Sequence, residues 1–67
     1  MKYIVIELQK NAEGTLAHLV SEHATLAEAE SKYYSVLSYA AVSETPAHSA
    51  IIITENCVPV RHNCYEH

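Results

Sequence analysis

The sequence predicts an α+β fold, ββαββ, in which a four-stranded, mainly antiparallel sheet carries one helix on one face. Three observations predict it. Four short segments show the alternating or continuous apolar pattern of strands. One central segment instead repeats its apolar residues at helical spacing. Turn residues separate the two strands of each pair. At 67 residues, the chain forms one small domain, residues 1–67, near the lower size limit for independent folding.

The first predicted pair consists of residues 2–9 and 15–22, two alternating runs that should form an antiparallel hairpin. Residues 11–14 make the turn. Gly14 can adopt the positive φ that such turns require.

A helix is predicted from 26 to 42. Thr25 and Glu28 have the capping-box spacing, in which the side chain of each bonds the backbone N–H of the other. The helix should end before Pro46, because the residue preceding a proline disfavours helical φ and ψ. Seven residues form its apolar stripe: Leu26, Ala29, Tyr33, Val36, Leu37, Ala40 and Ala41.

The second predicted pair consists of residues 47–54 and 58–65. Three consecutive isoleucines make both faces of the third strand apolar, which is typical of an interior strand. Pro59 lacks a backbone donor and predicts an edge strand or a bulge. Glu55 and Asn56 are the expected turn, although no glycine is present there.

One helix covers only one face of a sheet, so the second apolar face predicts self-association into a homo-oligomer, a dimer or higher. Ile4, Ile6 and Leu8 are expected to meet the helix. The residues expected at the subunit interface, together with one side of the isoleucine strand, are Tyr3, Val5, Ala17 and Leu19. The alternative is that sheet twist and loops cover part of this face.

The net charge is −4, and only four basic residues are present, without a cluster. Nucleic-acid binding depends largely on neutralised phosphates, so this charge argues against a DNA- or RNA-binding role. No apolar run is long enough to span a membrane, and no signal peptide is recognised, so we expect an intracellular, cytoplasmic protein without membrane contact. Cys57 and Cys64 are expected to be free thiols.

No cofactor, metal or catalytic role is expected. His62 and Cys64, with His48, could be considered as zinc ligands, but their spacing matches no usual zinc pattern. A Cys–His nucleophile would need a cleft and an orienting group that so short a chain hardly accommodates. Gly14 is the only glycine, which removes every phosphate-binding glycine loop. We therefore expect a protein that is not an enzyme.

The five tyrosines and the single arginine are the best candidates for ligand binding. Tyrosine offers a flat stacking surface with a polar tip, and arginine binds carboxylates or phosphates through two parallel bonds. A pocket between two subunits could hold a small anionic nucleotide; its expected residues are Arg61, His62, Tyr65, Tyr34 and Tyr39. The alternative is a solvated Arg61 paired with a nearby glutamate.

Three segments and the end of the chain carry a resemblance: MKYIVIELQKN, AESKYYSVLSYAAVS, HSAIIITE and RHNCYEH. Together they resemble a group of very small proteins encoded by phages and prophages of Gram-positive bacteria. The resemblance implies a phage setting in the cytoplasm of an infected host and assigns no functional residues.

The leading hypothesis is a non-catalytic, homo-oligomeric binding module that counters host defence by sequestering a small signalling nucleotide. An accessory structural protein of the virion is one alternative. A direct inhibitor of a host protein is the other.

Overall fold

The computed structural model describes residues 1–67 and has the predicted order of elements. These are β1 (Tyr3–Lys10), β2 (Leu16–His23), α1 (Leu26–Ala40), β3 (Ala47–Thr54) and β4 (Pro59–Glu66). All strand pairs are antiparallel, and the order across the sheet is β2-β1-β3-β4. The ββαββ prediction is confirmed. The bounds of β3 match the prediction, and the other three strands each lie one residue further along the chain than predicted.

The turn between β1 and β2 depends on Asn11 and Gly14. The Asn11 side-chain oxygen accepts the backbone N–H groups of Glu13 and Thr15, at 3.0 and 2.9 Å. Gly14 donates its N–H to the Asn11 carbonyl at 3.0 Å and has φ 87°, a value that favours glycine. The predicted role of Gly14 is confirmed.

The turn between β3 and β4 contains no glycine, and Cys57 adopts the positive φ instead. Thr54 and Val58 close it, with the Thr54 N–H donating to the Val58 carbonyl at 2.9 Å. Cys57, at φ 63°, occupies the left-handed position that glycine would normally take. The hairpin is therefore formed at the cost of some backbone strain in a residue with a side chain.

Helix α1 begins as predicted and ends two residues early. The Thr25 hydroxyl oxygen accepts the Glu28 N–H at 3.2 Å, which is one half of the predicted capping box. At the other end Ala41 is the C-cap and is exposed, so it does not extend the buried stripe. The ring Nε2 of His67 lies 2.9 Å from the Ala40 carbonyl oxygen, one of the acceptors left open at the helix end. This helix, the only one in the chain, is neither long nor apolar enough to cross a membrane.

The core lies between α1 and the two central strands, and it corrects the predicted assignment of the sheet faces. Val5 is 1% exposed and Ile52 is fully buried, and both pack against the helix in one hydrophobic cluster. Because side chains alternate along a strand, Ile4, Ile6 and Leu8 point to the opposite face, away from α1. The prediction that these three meet the helix is wrong.

The same reversal changes the expected interface residues. The strand register places Tyr3, Val5, Ala17 and Leu19 on the helix side of the sheet. Val5 is core and is unavailable for any contact between subunits. Ala17 and Leu19 remain exposed because the helix covers little of edge strand β2.

The surface on the other side of the sheet is called here the open face, because no element packs on it. Its apolar centre is formed by four isoleucines in two directly paired positions, Ile6 with Ile51 and Ile4 with Ile53. The remaining strand residues on this face, assigned by register, are Leu8, Lys10, Leu16, His18, Val20, Glu22, Ala47, Ser49, Pro59, His62, Cys64 and Glu66.

The two edge strands differ. In β4 the register shifts where Ile53 pairs with Pro59 and Ile52 pairs with Arg61, which leaves Val60 as a bulge. Both features predicted from Pro59, the edge position and the bulge, are confirmed. Strand β2 instead pairs without interruption over all eight residues and contains no proline.

Candidate functional site: a cleft between the helix and strand β4

An open cleft of about 390 Å³ lies where α1 passes over the β4 edge of the sheet. The helix and the strand supply its whole lining: Tyr33, Tyr34, Leu37, Val60, Arg61, His62 and Asn63. The cleft is open to solvent on one side, so a ligand could enter without movement of the backbone.

The fold brings these residues together for simple geometric reasons. Arg61 is the register partner of buried Ile52, which places its side chain on the helix side of the sheet. Asn63 lies two residues further along β4 and shares that side. On α1, Tyr33 and Leu37 are one turn apart and belong to the buried stripe, while Tyr34 borders it on the β4 side.

Two tyrosine rings form the helical wall of the cleft. The ring centroids of Tyr33 and Tyr34 are 5.1 Å apart at an interplanar angle of 73°, an edge-to-face arrangement. Tyr33 is buried, whereas Tyr34 is 51% exposed and can offer a ring face to a ligand. Burial raises the pKa of Tyr33; nearby Tyr34 and Tyr65 also raise it, and Arg61 partly offsets these effects. The Tyr33 hydroxyl is thus a neutral group at physiological pH.

Arg61 is the only positive charge lining the cleft, and it already has a partner. Its Nε lies 3.3 Å from Oε2 of Glu30, one turn before Tyr34 on the helix. About half of the Arg61 side chain is exposed, so the pair contributes little to stability. The guanidinium has five N–H donors, and this contact occupies only one of them. In the protein without a ligand, Arg61 is thus paired with a nearby glutamate, as the alternative in the sequence analysis describes.

The five predicted ligand residues are only partly brought together. Arg61 and Tyr34 line the cleft. Tyr65 lies on the same side of the sheet but does not line the cleft. Tyr39 is 69% exposed elsewhere on the helix surface. His62 borders the cleft but pairs with Ile51, so alternation directs its side chain towards the open face.

Three residues at the cleft are absent from the predicted ligand residues: Tyr33, Glu30 and Asn63. The sequence pattern indicates only a core position for Tyr33, and it indicates no role for Glu30 or Asn63. Their positions could have been inferred from spacing: Glu30 lies one helical turn before Tyr34, and Asn63 lies two strand positions after Arg61.

The three residues considered as zinc ligands lie on two different faces. His62 and Cys64 belong to the open face, whereas His48 is buried on the helix side. They cannot share a metal ion within one chain. Nowhere does the structure bring three or more His, Cys, Asp or Glu side chains into a metal-binding arrangement. Cys57 and Cys64 are both exposed free thiols.

His48 instead forms a buried pair that the sequence did not suggest. Its Nε2 lies 2.5 Å from Oε2 of Glu7, and the two side chains are only 5% and 12% exposed. Gln9 donates to the same carboxylate oxygen from its Nε2 at 3.1 Å. The other ring nitrogen, Nδ1 of His48, is buried without a hydrogen-bond partner. No cleft is lined by His48, which argues for a structural role.

Comparison with known protein families, curated proteins and solved structures found no match to this chain.

Proposed function

We propose that this protein is a non-catalytic binding module that holds a small aromatic anion, a nucleotide in the first instance, in the cleft between α1 and β4. The observation that supports it is the convergence of Tyr34, Arg61 and Asn63 on one open cleft. The volume of about 390 Å³ lies within the usual range for small-molecule sites, roughly 300–1,000 Å³.

The chemistry of the cleft matches the parts of a nucleotide. The exposed ring of Tyr34 can stack on a base. The free donors of Arg61 can bind a phosphate through two parallel bonds, and the Asn63 amide can both donate and accept. These groups supply stacking and hydrogen bonding, which are interactions of binding.

The proposal places the ligand within one subunit, which differs from the shared pocket expected from the sequence. The cleft lies on the helix side at the β4 edge, and the open face lies on the other side of the sheet. Contact between open faces would therefore leave the cleft free. In the phage setting that the resemblance implies, such binding would sequester a signalling nucleotide of host defence.

Isothermal titration calorimetry against cyclic dinucleotides, cyclic ADP-ribose-type signals and mononucleotides tests the proposal. We expect one site per chain, and Arg61→Ala should weaken binding by about ten- to a hundredfold because a charge-assisted contact is lost. Tyr34→Ala should weaken it by about tenfold or more through loss of stacking. Glu30→Gln should strengthen it several-fold, because the glutamate competes for Arg61.

Tyr39→Ala is the matched control, since Tyr39 is an exposed helical tyrosine outside the cleft. It should bind like the unmodified chain. Absence of binding to every nucleotide tested would remove the proposal. A loss on Tyr39→Ala as large as that on Tyr34→Ala would place the ligand elsewhere.

A further inference from the structure

The open face is the largest feature of the molecule that the proposed cleft does not use. Its central isoleucines, Ile4, Ile6, Ile51 and Ile53, are only partly shielded, and Leu8 beside them is 38% exposed. On β2, Val20 pairs directly with Ile6 and extends this apolar surface; it is 61% exposed. Contiguous apolar surface of this kind marks an interaction site in a protein that remains in solution.

We infer that a second copy of this chain stacks on the open face, so that two sheets pack face to face with the helices outside. The dimer would have four layers, helix–sheet–sheet–helix. Stacked sheets pack at about 10 Å, a spacing that lets the isoleucines of both copies interdigitate.

The charge distribution favours a second copy over a charged partner. The charged strand residues of the open face are Lys10, Glu22 and Glu66. Lys2 lies just before β1, and its Nζ is 2.6 Å from Oε1 of Glu22. The two positive and two negative groups cancel. The net charge of −4 therefore belongs to the helix side and the loops. Two copies can approach through this face without the repulsion that their total charge would otherwise produce.

The size of the face also fits a dimer. The molecule extends 37 × 20 × 14 Å, so the outline of its broadest side is roughly 700 Å², of the same order as the ~800 Å² per partner of a standard interface. The isolated chain buries only 10 of its 67 residues. A second hydrophobic layer would supply the burial that chains of this size usually lack.

Neighbouring residues of β2 provide a matched pair of variants. Val20 on the open face and Leu19 on the helix side are 61% and 63% exposed, so neither substitution empties the core. Val20→Lys should raise the dimer dissociation constant by about a hundredfold or more, because it places an unpaired ammonium in the interface. Leu19→Lys should leave the dimer intact. Leu8→Lys, on the open face, should act like Val20→Lys.

Sedimentation velocity and light scattering from micromolar to millimolar concentration measure the outcome, with circular dichroism as the check of folding. The expected result is a mass twice the 7.4 kDa of one chain for the unmodified protein and Leu19→Lys, and folded monomers for the other two variants. A monomeric unmodified protein would overturn the inference. So would loss of the dimer in Leu19→Lys and Val20→Lys together, which would indicate pairing through the edge of β2. Nucleotide binding by a folded Val20→Lys monomer would show that the cleft works independently of the interface.

Discussion

The buried pair of His48 and Glu7 gives the sharpest test of how this small core is held together. The perturbation is a double-mutant cycle with Glu7→Leu, His48→Phe and the two combined. Each single substitution leaves one polar partner inside the protein. In Glu7→Leu, both ring nitrogens of His48 lack a partner, since Nδ1 has none to begin with.

The expected magnitudes follow from that burial. Removing one member of a buried pair costs about 3–5 kcal/mol, and the lower end applies because Glu7 keeps some access to water. We expect the free energy of unfolding of each single variant to fall by about 3 kcal/mol. The free energy of unfolding of a chain of this length is roughly 3–10 kcal/mol in total, so either variant is close to unfolding. The double variant should fall within about 1 kcal/mol of the unmodified protein, because it leaves no buried charge and no orphaned Nδ1.

Urea denaturation followed by circular dichroism measures all four proteins, with stability extrapolated to water. The pair Arg61–Glu30, away from the open face, supplies a control cycle, in which little coupling is expected because about half of the Arg61 side chain is exposed to water. If the double His48/Glu7 variant loses the sum of the two single losses, the two side chains do not act as a pair, and the reasoning fails.

Three further predictions concern the backbone and pH. Cys57→Gly should stabilise the protein by about 0.5–1 kcal/mol by relieving the left-handed φ, whereas Cys57→Ala should not; thermal melts with reductant compare them. Thr25→Ala should cost about 1 kcal/mol in urea titrations through loss of the helix cap, and an unchanged midpoint would contradict the assigned bond. Because the pKa of Tyr33 is raised above 10.0, the unfolded chain loses this proton first, so stability should fall as pH rises through 10. Absorbance titration at alkaline pH should show a late tyrosine, absent in Tyr33→Phe.

The fold was predictable from local pattern because each element carries its own signal. Gly14, Pro59 and the cap at Thr25 determine the first turn, the irregular edge and the helix start, and all three were identified from the sequence. The face of the sheet that the helix covers was not predicted correctly. Ile4, Ile6 and Leu8 form the more apolar face of β1, and hydrophobicity alone assigns that face to the helix.

The structure places the helix on the other face, where small residues permit close approach. Ala29 and Ala40 of α1 are fully buried, and Ala50 of β3 is 3% exposed. Helix packing depends on this fit as well as on apolar character. The same arrangement puts Glu7 beside His48, and each satisfies a polar group that burial would otherwise penalise.

The sequence predicted a ligand pocket between two subunits, whereas the cleft described here lies within one chain. Arg61 and Tyr34 both line it, because one is on the helix side of β4 and the other borders the helical stripe. Arg61 and His62 both line the cleft, but their side chains are directed to opposite faces, since neighbouring strand residues alternate. Likewise, Tyr34 and Tyr39 are five residues apart on α1, about 140° around the helix axis.

The unequal edges of the sheet limit how the protein can assemble. At β4, Pro59 and the bulge at Val60 remove a donor and distort the ladder, which discourages the addition of another strand. Only β2 is regular over its whole length. Fibre growth by strand addition needs two receptive sides on every molecule, and the irregular start of β4 disfavours one of them. Pairing through the β2 edge alone joins two molecules and stops there.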